Sequence, residues 1–250
     1  MEAWGLPVCL NQYLSKLNLV KGLDNLNEHQ IIKEYFSDVG SAYLAEHGIR
    51  VPVGDDAAVL APPKGKESVI SVDTSIEGVH FLKSMSASDI AYRSVSVALS
   101  DLAACGATPS WFTLALTLED YDPIWLLGFR RGLEDISNEL KIPLIGGDMT
   151  KGNLSITVQV GGYVEKGKAL TRKGAKVGDL IYLTGAIGEA SSALEDIKKD
   201  NLVDIKKSRY LRPEIRFGVS NKLKGIATSA IDVSDGLFQD LNHICTASKV

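Results

Sequence analysis

Along the chain the apolar residues change their period several times, and each change marks an element. From Asn27 onward, Ile31, Ile32, Tyr35 and Phe36 recur at helical spacing. VISV (69–72) is a short apolar run of the kind a buried strand uses. In SDIAYRSVSVALSDLAACGA (88–107), Ala91, Val95, Ala98 and Leu102 form a helical stripe, and Gly106 offers a stop. Small residues cover most faces of this helix, which predicts deep packing. WFTLALTL (111–118) alternates Phe112, Leu114, Leu116 and Leu118 with Trp111, Thr113, Ala115 and Thr117, the pattern of a strand with two distinct faces. Asp122 and Pro123 read as the cap and first residue of a second helix. IPLI (142–145) and SITVQVGGYV (155–164) read as strands on either side of a GGD turn.

The Lys- and Gly-rich stretch EKGKALTRKGAKVGD (165–179) is the best internal boundary. Beyond it the pattern predicts a strand in DLIYLTG (179–185), a helix in GEASSALEDI (188–197), a polar stretch (196–208) and a helix entered through Pro213. A strand in ATSAIDV (227–233) and a helix in SDGLFQDLNHICTA (234–247), with Ser234 as its N-cap, complete the series. The expectation is an α/β (α+β mixed) chain in two parts. Residues 1–26 form an appendage, 27–165 an N-terminal α/β domain and 166–250 an incomplete C-terminal α/β domain. Residues 1–26 do not read as a transit peptide, since they hold Glu2 and Asp24 and no arginine.

Charge and composition narrow the function. The net charge of -4 and pI near 5.6 lack the basic excess that nucleic-acid binding requires. No apolar run approaches the ~20 residues of a membrane span. Cys9, Cys105 and Cys245 are far apart and form no CxxC pair, which argues against a disulfide framework and a thiolate zinc site and fits a cytoplasmic protein.

Candidate chemistry lies in the aspartates. Asp55, Asp56, Asp73, Asp101, Asp148, Asp232 and Asp235 each stand beside an apolar run, most with glycine nearby. Each alone reads equally as a turn or cap. Asp101 is different, because a carboxylate inside so apolar a helix pays for desolvation unless it meets a partner. If these groups converge they need cations: two unit charges ~4 Å apart repel by about 4 kcal/mol at an effective dielectric near 20. Oxygen ligands without a Cys or His cluster point to magnesium or manganese, and magnesium with phosphates implies nucleotide phosphoryl chemistry. The Walker and protein-kinase signatures are absent from the sequence, and GAIGEA (185–190) reads either as a plain turn or as a phosphate-facing one.

Taken together, VGDDAAVL, SVDTSIEGVHF, AYRSVSVALSDLAACGATPSWFTLALTL, LIGGDMTKG, ALTRKGAKVGDLIYLTG, YLRPEIR and AIDVSDGLFQDLNHI resemble the thiamine-monophosphate kinase family, over residues 27–250 in unbroken order. That resemblance implies the two-domain fold of the aminoimidazole ribonucleotide synthetase-like superfamily, with N-terminal strands completing a barrel across a homodimer. It also implies phosphorylation of thiamine monophosphate to thiamine diphosphate by ATP, through direct in-line transfer assisted by several Mg2+ ions. By motif, Asp56, Ser71, Asp73, Asp101, Asp148, Asp232 and Asp235 would ligate magnesium, with the carbonyl of Val72 contributing and Asp55 in a less defined role. Gly147, Asp148, Arg172 and Ser234 would contact ATP, and His80 the thiamine phosphate. Without the resemblance, His80 reads as a packing histidine and Arg172 as a solvated loop cation. The family pattern continues with a GEDYE-like segment and a late aromatic that this sequence lacks. The alternatives are an Mg-ATP-binding fragment impaired in turnover, or a related ATP-dependent synthetase.

Overall fold

Ser86 and Asp122 start the two helices that support the rest of the molecule. The computed structural model describes residues 27–199 and 206–250, so the expected appendage 1–26 and part of the polar stretch lie outside it. A first turn of helix, α1 (Glu28–Ile31), is capped by Asn27 and runs on through a wider turn, Ile32–Phe36. A small antiparallel pair follows, β1 (Ile49–Val51) with β2 (Val59–Leu60). The main sheet is built from β3 (Lys66–Ile76), β4 (Thr108–Leu118), β5 (Leu144–Lys151) and β6 (Ser155–Glu165) in the order β3-β6-β4-β5. β6 runs antiparallel to β3 and β4, and β5 parallel to β4.

The crossover between β3 and β4 carries α2 (Ala87–Ala104), and that between β4 and β5 carries α3 (Pro123–Leu140). Ser86 Oγ accepts the Asp89 N–H and donates to the Asp89 carboxylate, closing the α2 N-terminus. Asp122 accepts the Ile124 N–H ahead of Pro123, as the sequence predicts. Both helices lie on one face of the sheet, where Val95, Leu99, Leu102, Phe112, Leu116, Phe129, Leu133, Ile156 and Val158 form the main core. On the other face β1 and β2 cover Trp111 and Ile145 with Ile49 and Leu60. Ile70 and Val72 on that face stay 57% and 58% exposed.

Two readings of this half are corrected. Asp73 does not follow the VISV strand but lies within β3, opposite Val158 of β6. GGD is likewise not a turn: Gly146, Gly147 and Asp148 run inside β5. At Gly147, φ is 156°, and a Cβ would sit 1.9 Å from the Leu114 carbonyl oxygen, so strand pairing here depends on glycine.

After Glu165 the described residues form helices and coil and no strand: α4 (Glu189–Lys198), α5 (Lys206–Leu211), α6 (Phe217–Leu223) and α7 (Leu237–Ser248). DLIYLTG and ATSAIDV, expected as strands, are coil. Leu180 and Tyr182 are 76% and 81% exposed. Strand-forming composition needs a neighbouring strand to pair with, and none of the described strands pairs with these segments. The helix expected from Pro213 begins at Phe217 instead.

YLRPEIR fastens this half to the first. The Arg212 guanidinium donates to Asp89 (2.8 Å), Asp135 (2.8 Å) and Ser88 (2.9 Å) and lies 4.8 Å from the Tyr92 ring centroid. Arg93 stacks 4.3 Å from the Tyr210 ring centroid and donates to the Tyr210 carbonyl. Ser220 Oγ donates to the Ala103 carbonyl near the end of α2.

The closest helix crossing passes through Gly132, where a Cβ would meet the Ser88 carbonyl oxygen at 2.0 Å. Helix propensity alone favours alanine by about 1 kcal/mol, but overpacking costs about 1–3 kcal/mol. A backbone contact this short puts the cost at its upper end, so Gly132→Ala is expected to lower unfolding stability by about 2 kcal/mol net. Chemical denaturation should show this as a lower midpoint, and an unchanged or higher midpoint would contradict the crossing.

Candidate active site

β3 presents alternate residues to α2, and Ser71 and Asp73 are two of them. Near the end of α2, Asp101 accepts a 2.5 Å hydrogen bond from the Ser71 hydroxyl. This is the partner that a carboxylate on so apolar a helix requires. The β3 and α2 acids feel one another: burial pushes the Asp73 carboxyl above the usual range, Asp101's charge pushes it further, and His80 partly offsets the rise.

The loop after β6 completes the site. Leu170 N–H donates to the Cys105 carbonyl just past α2, and Ala230 N–H donates to the Thr171 carbonyl. Ser248 of α7 donates to the Arg172 carbonyl and accepts the Gly174 and Ala175 N–H groups. These links set the Arg172 loop and the Asp232 segment against the end of α2. They enclose a cavity of about 260 Å3 lined by Ser71, Asp101, Cys105, Arg172 and Asp232 among others. Asp232 is also raised, first by burial and then by Asp101, with Arg172 acting against the rise. Burial and the same acids hold the Cys105 thiol up, which keeps it protonated and a poor nucleophile.

His80 sits beside this group. Its Nδ1 accepts the Ile76 N–H at 3.0 Å, which assigns the ring proton to Nε2 and makes the free edge a donor. The Tyr210 hydroxyl holds the His80 carbonyl from the YLRPEIR side at 3.3 Å.

Ser71, Asp73, His80, Asp101, Arg172 and Asp232 are thus brought together. Other expected site residues are not. Asp55 and Asp56 are exposed on the loop between β1 and β2, where Asp55 caps the Asp56 N–H. Asp148 lies on β5 at the opposite edge of the sheet from β3, paired with Ala115 on the face that carries Thr74 and Thr157. Asp235 is exposed and accepts from Gln239, while Ser234 is exposed and does not cap the last helix. Gly147 shapes β5, and the Val72 side chain faces away from Asp101. Among the described residues no three His, Cys, Asp or Glu side chains stand close enough to form a closed metal cage. Even so, the donor set fits a hard cation. It consists of oxygen ligands, among which the Asp73 and Asp232 carboxyls are raised by burial and by the Asp101 charge, and magnesium needs only one or two carboxylates when phosphates and water complete its shell. The residue missed from the sequence is Asp240, whose buried carboxylate accepts the Ser234 and Gly236 N–H groups. Its only sequence signal was an acid four residues after the SDG glycine.

Comparison with known proteins places this geometry. Residues 54–164 match the family described as AIR synthase related protein, N-terminal domain. The thiamine-monophosphate kinase of Escherichia coli K12 is 44% identical over 227 residues, covering 88% of this chain and 69% of that protein. The chain belongs to the thiamine-monophosphate kinase family. The Haemophilus influenzae thiamine-monophosphate kinase is 41% identical, with 90% of this chain and 69% of that protein covered. The crystal structure of thiamine-monophosphate kinase from Stenotrophomonas maltophilia K279a superposes with a TM-score of 0.79 at 39% identity, covering 85% of this chain and 71% of that one. A structure of AaThiL complexed with AMPPCP and TMP superposes with a TM-score of 0.71 at 28% identity, over 84% of this chain and 69% of that one. The mixed α/β expectation agrees with this family's fold.

Asp101 gives a test with two signs. Its charge raises both Asp73 and Asp232, so Asp101→Asn removes repulsion and should raise the thermal midpoint of the ligand-free protein near pH 7. The same change should weaken Mg-ATP binding by at least about tenfold, or 1.4 kcal/mol. Calorimetric titration alongside thermal unfolding checks both, and unchanged affinity would remove Asp101 from the site.

Proposed function

We propose that this chain phosphorylates thiamine monophosphate to thiamine diphosphate with ATP as the donor. The observation that carries the reading is the convergence of Ser71, Asp101, Asp232 and Arg172 on one cavity, with Asp73 beside it within reach of the Asp101 charge, in a chain of the thiamine-monophosphate kinase family. When bound, magnesium would neutralise the phosphates and polarise the transferred group. Ser71, Asp73, Asp101 and Asp232 would hold it, joined by Asp56 and Asp235 from the flanking loops and by the Val72 carbonyl of β3. Arg172, Ser234 and Gly147 would contact ATP.

The chain's own residues then position the reaction. Burial and mutual repulsion leave the carboxylates short of positive charge, which favours the metal-phosphate complex over either component alone. Arg172 lies at the cavity wall as a fixed cation for phosphate oxygens. The His80 Nε2–H donates toward the acceptor phosphate, held in that tautomer by the Ile76 N–H. The acceptor oxygen belongs to a phosphomonoester that is already substantially ionised near neutral pH, its second pKa being about 6, so no strong general base is required. Direct in-line attack on the γ-phosphate then proceeds without a phospho-enzyme.

Asp148 enters this site through a second copy of the chain. It is three strands from Asp73, about 14 Å at the usual strand spacing, and on the opposite face of the sheet. The same face carries exposed Ile70 and Val72, and the edge strands β3 and β5 each pair on one side only among the described residues. A homodimer joined through these strands would cover the face and carry each Asp148 to its neighbour.

Incubation with Mg-ATP and thiamine monophosphate should yield thiamine diphosphate, detected by chromatography. Mixed dimers test the shared site. Asp101→Asn and Asp148→Asn chains, each inactive alone, should regain about a quarter of wild-type activity on subunit exchange, because half the dimers then hold one intact site. Failure to regain activity would place Asp148 with its own chain or outside the site. The exposed coil of 177–183 favours a second reading, an Mg-ATP-binding protein without turnover, and nucleotide binding with no product would select it.

A further inference from the structure

The segment that carries Asp232 and Asp235 has no sheet to hold it, since residues 227–236 are coil. Thr228 and Ala230 tie its first half to Asp179 and Thr171, and one side chain holds its second half. Asp240 is 3% exposed, and its Oδ2 accepts the Ser234 N–H at 3.0 Å and the Gly236 N–H at 3.1 Å. The Asp240 N–H in turn donates to the Gly236 carbonyl at 3.0 Å as the first turn of α7 forms. No side chain caps α7 from the front, so this first-turn acid folds back over the helix start and takes the place of a cap. The positive end of the α7 dipole stabilises its charge, and among the described residues it makes no ion pair. Asp240 also lies near enough to Asp232 for its charge to act there.

We propose that Asp240 is a positioning residue for the metal-phosphate site: by clamping the Ser234 and Gly236 amides it fixes the 232–236 loop in the shape that aims Asp232 at Asp101 and Arg172. The proposal rests on reading Asp232 as a ligand of the metal-phosphate complex. A buried acid that served only stability would alter the unfolding midpoint and leave Mg-ATP affinity alone. A positioning acid acts through the ligands of the loop it holds, so its removal costs less once Asp232 is gone.

The test is Mg-ATP affinity by calorimetry in the full chain for Asp240→Ala, Asp240→Asn, Asp240→Glu, Asp232→Asn and the double variant Asp232→Asn with Asp240→Ala. Asp240→Ala should weaken binding by about tenfold or more. Asp240→Asn, whose amide oxygen can accept both N–H groups, should stay within about threefold of wild type. Asp240→Glu keeps the charge and the dipole partner but displaces the carboxylate by one methylene, and should bind as poorly as alanine. It serves as the loss-of-geometry variant if the alanine protein does not fold. In the Asp232→Asn background, Asp240→Ala should add only part of its wild-type loss, the part that passes through Ser234 and Asp235 of the same loop. Wild-type affinity in folded Asp240→Ala or Asp240→Glu would overturn the proposal. So would an asparagine variant as weak as alanine, or a full additional loss in the double variant. Wild-type affinity in Asp232→Asn alone would instead sink the ligand reading of Asp232, and the proposal with it.

Discussion

The site depends on one arrangement, a carboxylate set into the small-residue helix α2 and held there by a strand hydroxyl. Asp101 is tolerable on α2 because Ser71 donates to it and because one side of it opens onto a cavity. Everything acidic nearby is then referred to that charge. Asp73 arrives on β3 and Asp232 on a coil segment, and both carboxyls are pushed up by burial and by Asp101. A protein seeking stability alone would not set Asp73 and Asp232 within reach of the Asp101 charge, since removing like charges is the cheaper solution. The arrangement makes sense as a receptor for cation and phosphate together.

Holding the charges in place falls to contacts that perform no chemistry. The guanidinium of Arg212 joins α2 and α3 to the YLRPEIR segment through Asp89, Asp135 and Ser88, and Arg93 clasps Tyr210 from the same helix. Tyr210 then reaches the His80 carbonyl, so the helix that carries Asp101 also bears on the expected acceptor-phosphate contact. On the other side, Leu170 and Ala230 tie the Arg172 and Asp232 segments to the end of α2 through main-chain hydrogen bonds. The α2 helix is the common support, which explains its small residues: bulkier ones would hold the sheet, α3 and the Arg172 loop apart.

The sequence made some of this plain and hid the rest for identifiable reasons. Alternation in WFTLALTL and the Asp122-Pro123 start were legible because local chemistry alone decides them. Asp73 and GGD were misplaced as strand-end and turn features because aspartate and glycine favour turns in isolation; here long-range pairing with β6 and β4 prevailed. DLIYLTG and ATSAIDV show the reverse, since strand-like composition formed coil where no described strand pairs with it. Ser234 looked like a cap by residue type, whereas capping fell to Asp240, which reaches back from inside the helix. The separation of Asp148 from Asp73 by sheet order and face could not be read from spacing at all, because strand order is a property of the fold.

The central claim is that the clustered carboxylates need a divalent cation to accept a nucleotide. Titrating the chain with ATP in magnesium-containing buffer and again in excess chelator tests it most directly. The account predicts saturable binding with magnesium, and affinity weakened by at least about a hundredfold, or 2.7 kcal/mol, without it. Equal affinity in the two buffers would contradict it, because nucleotide phosphates would then be settling among Asp73, Asp101 and Asp232 with nothing to offset their repulsion.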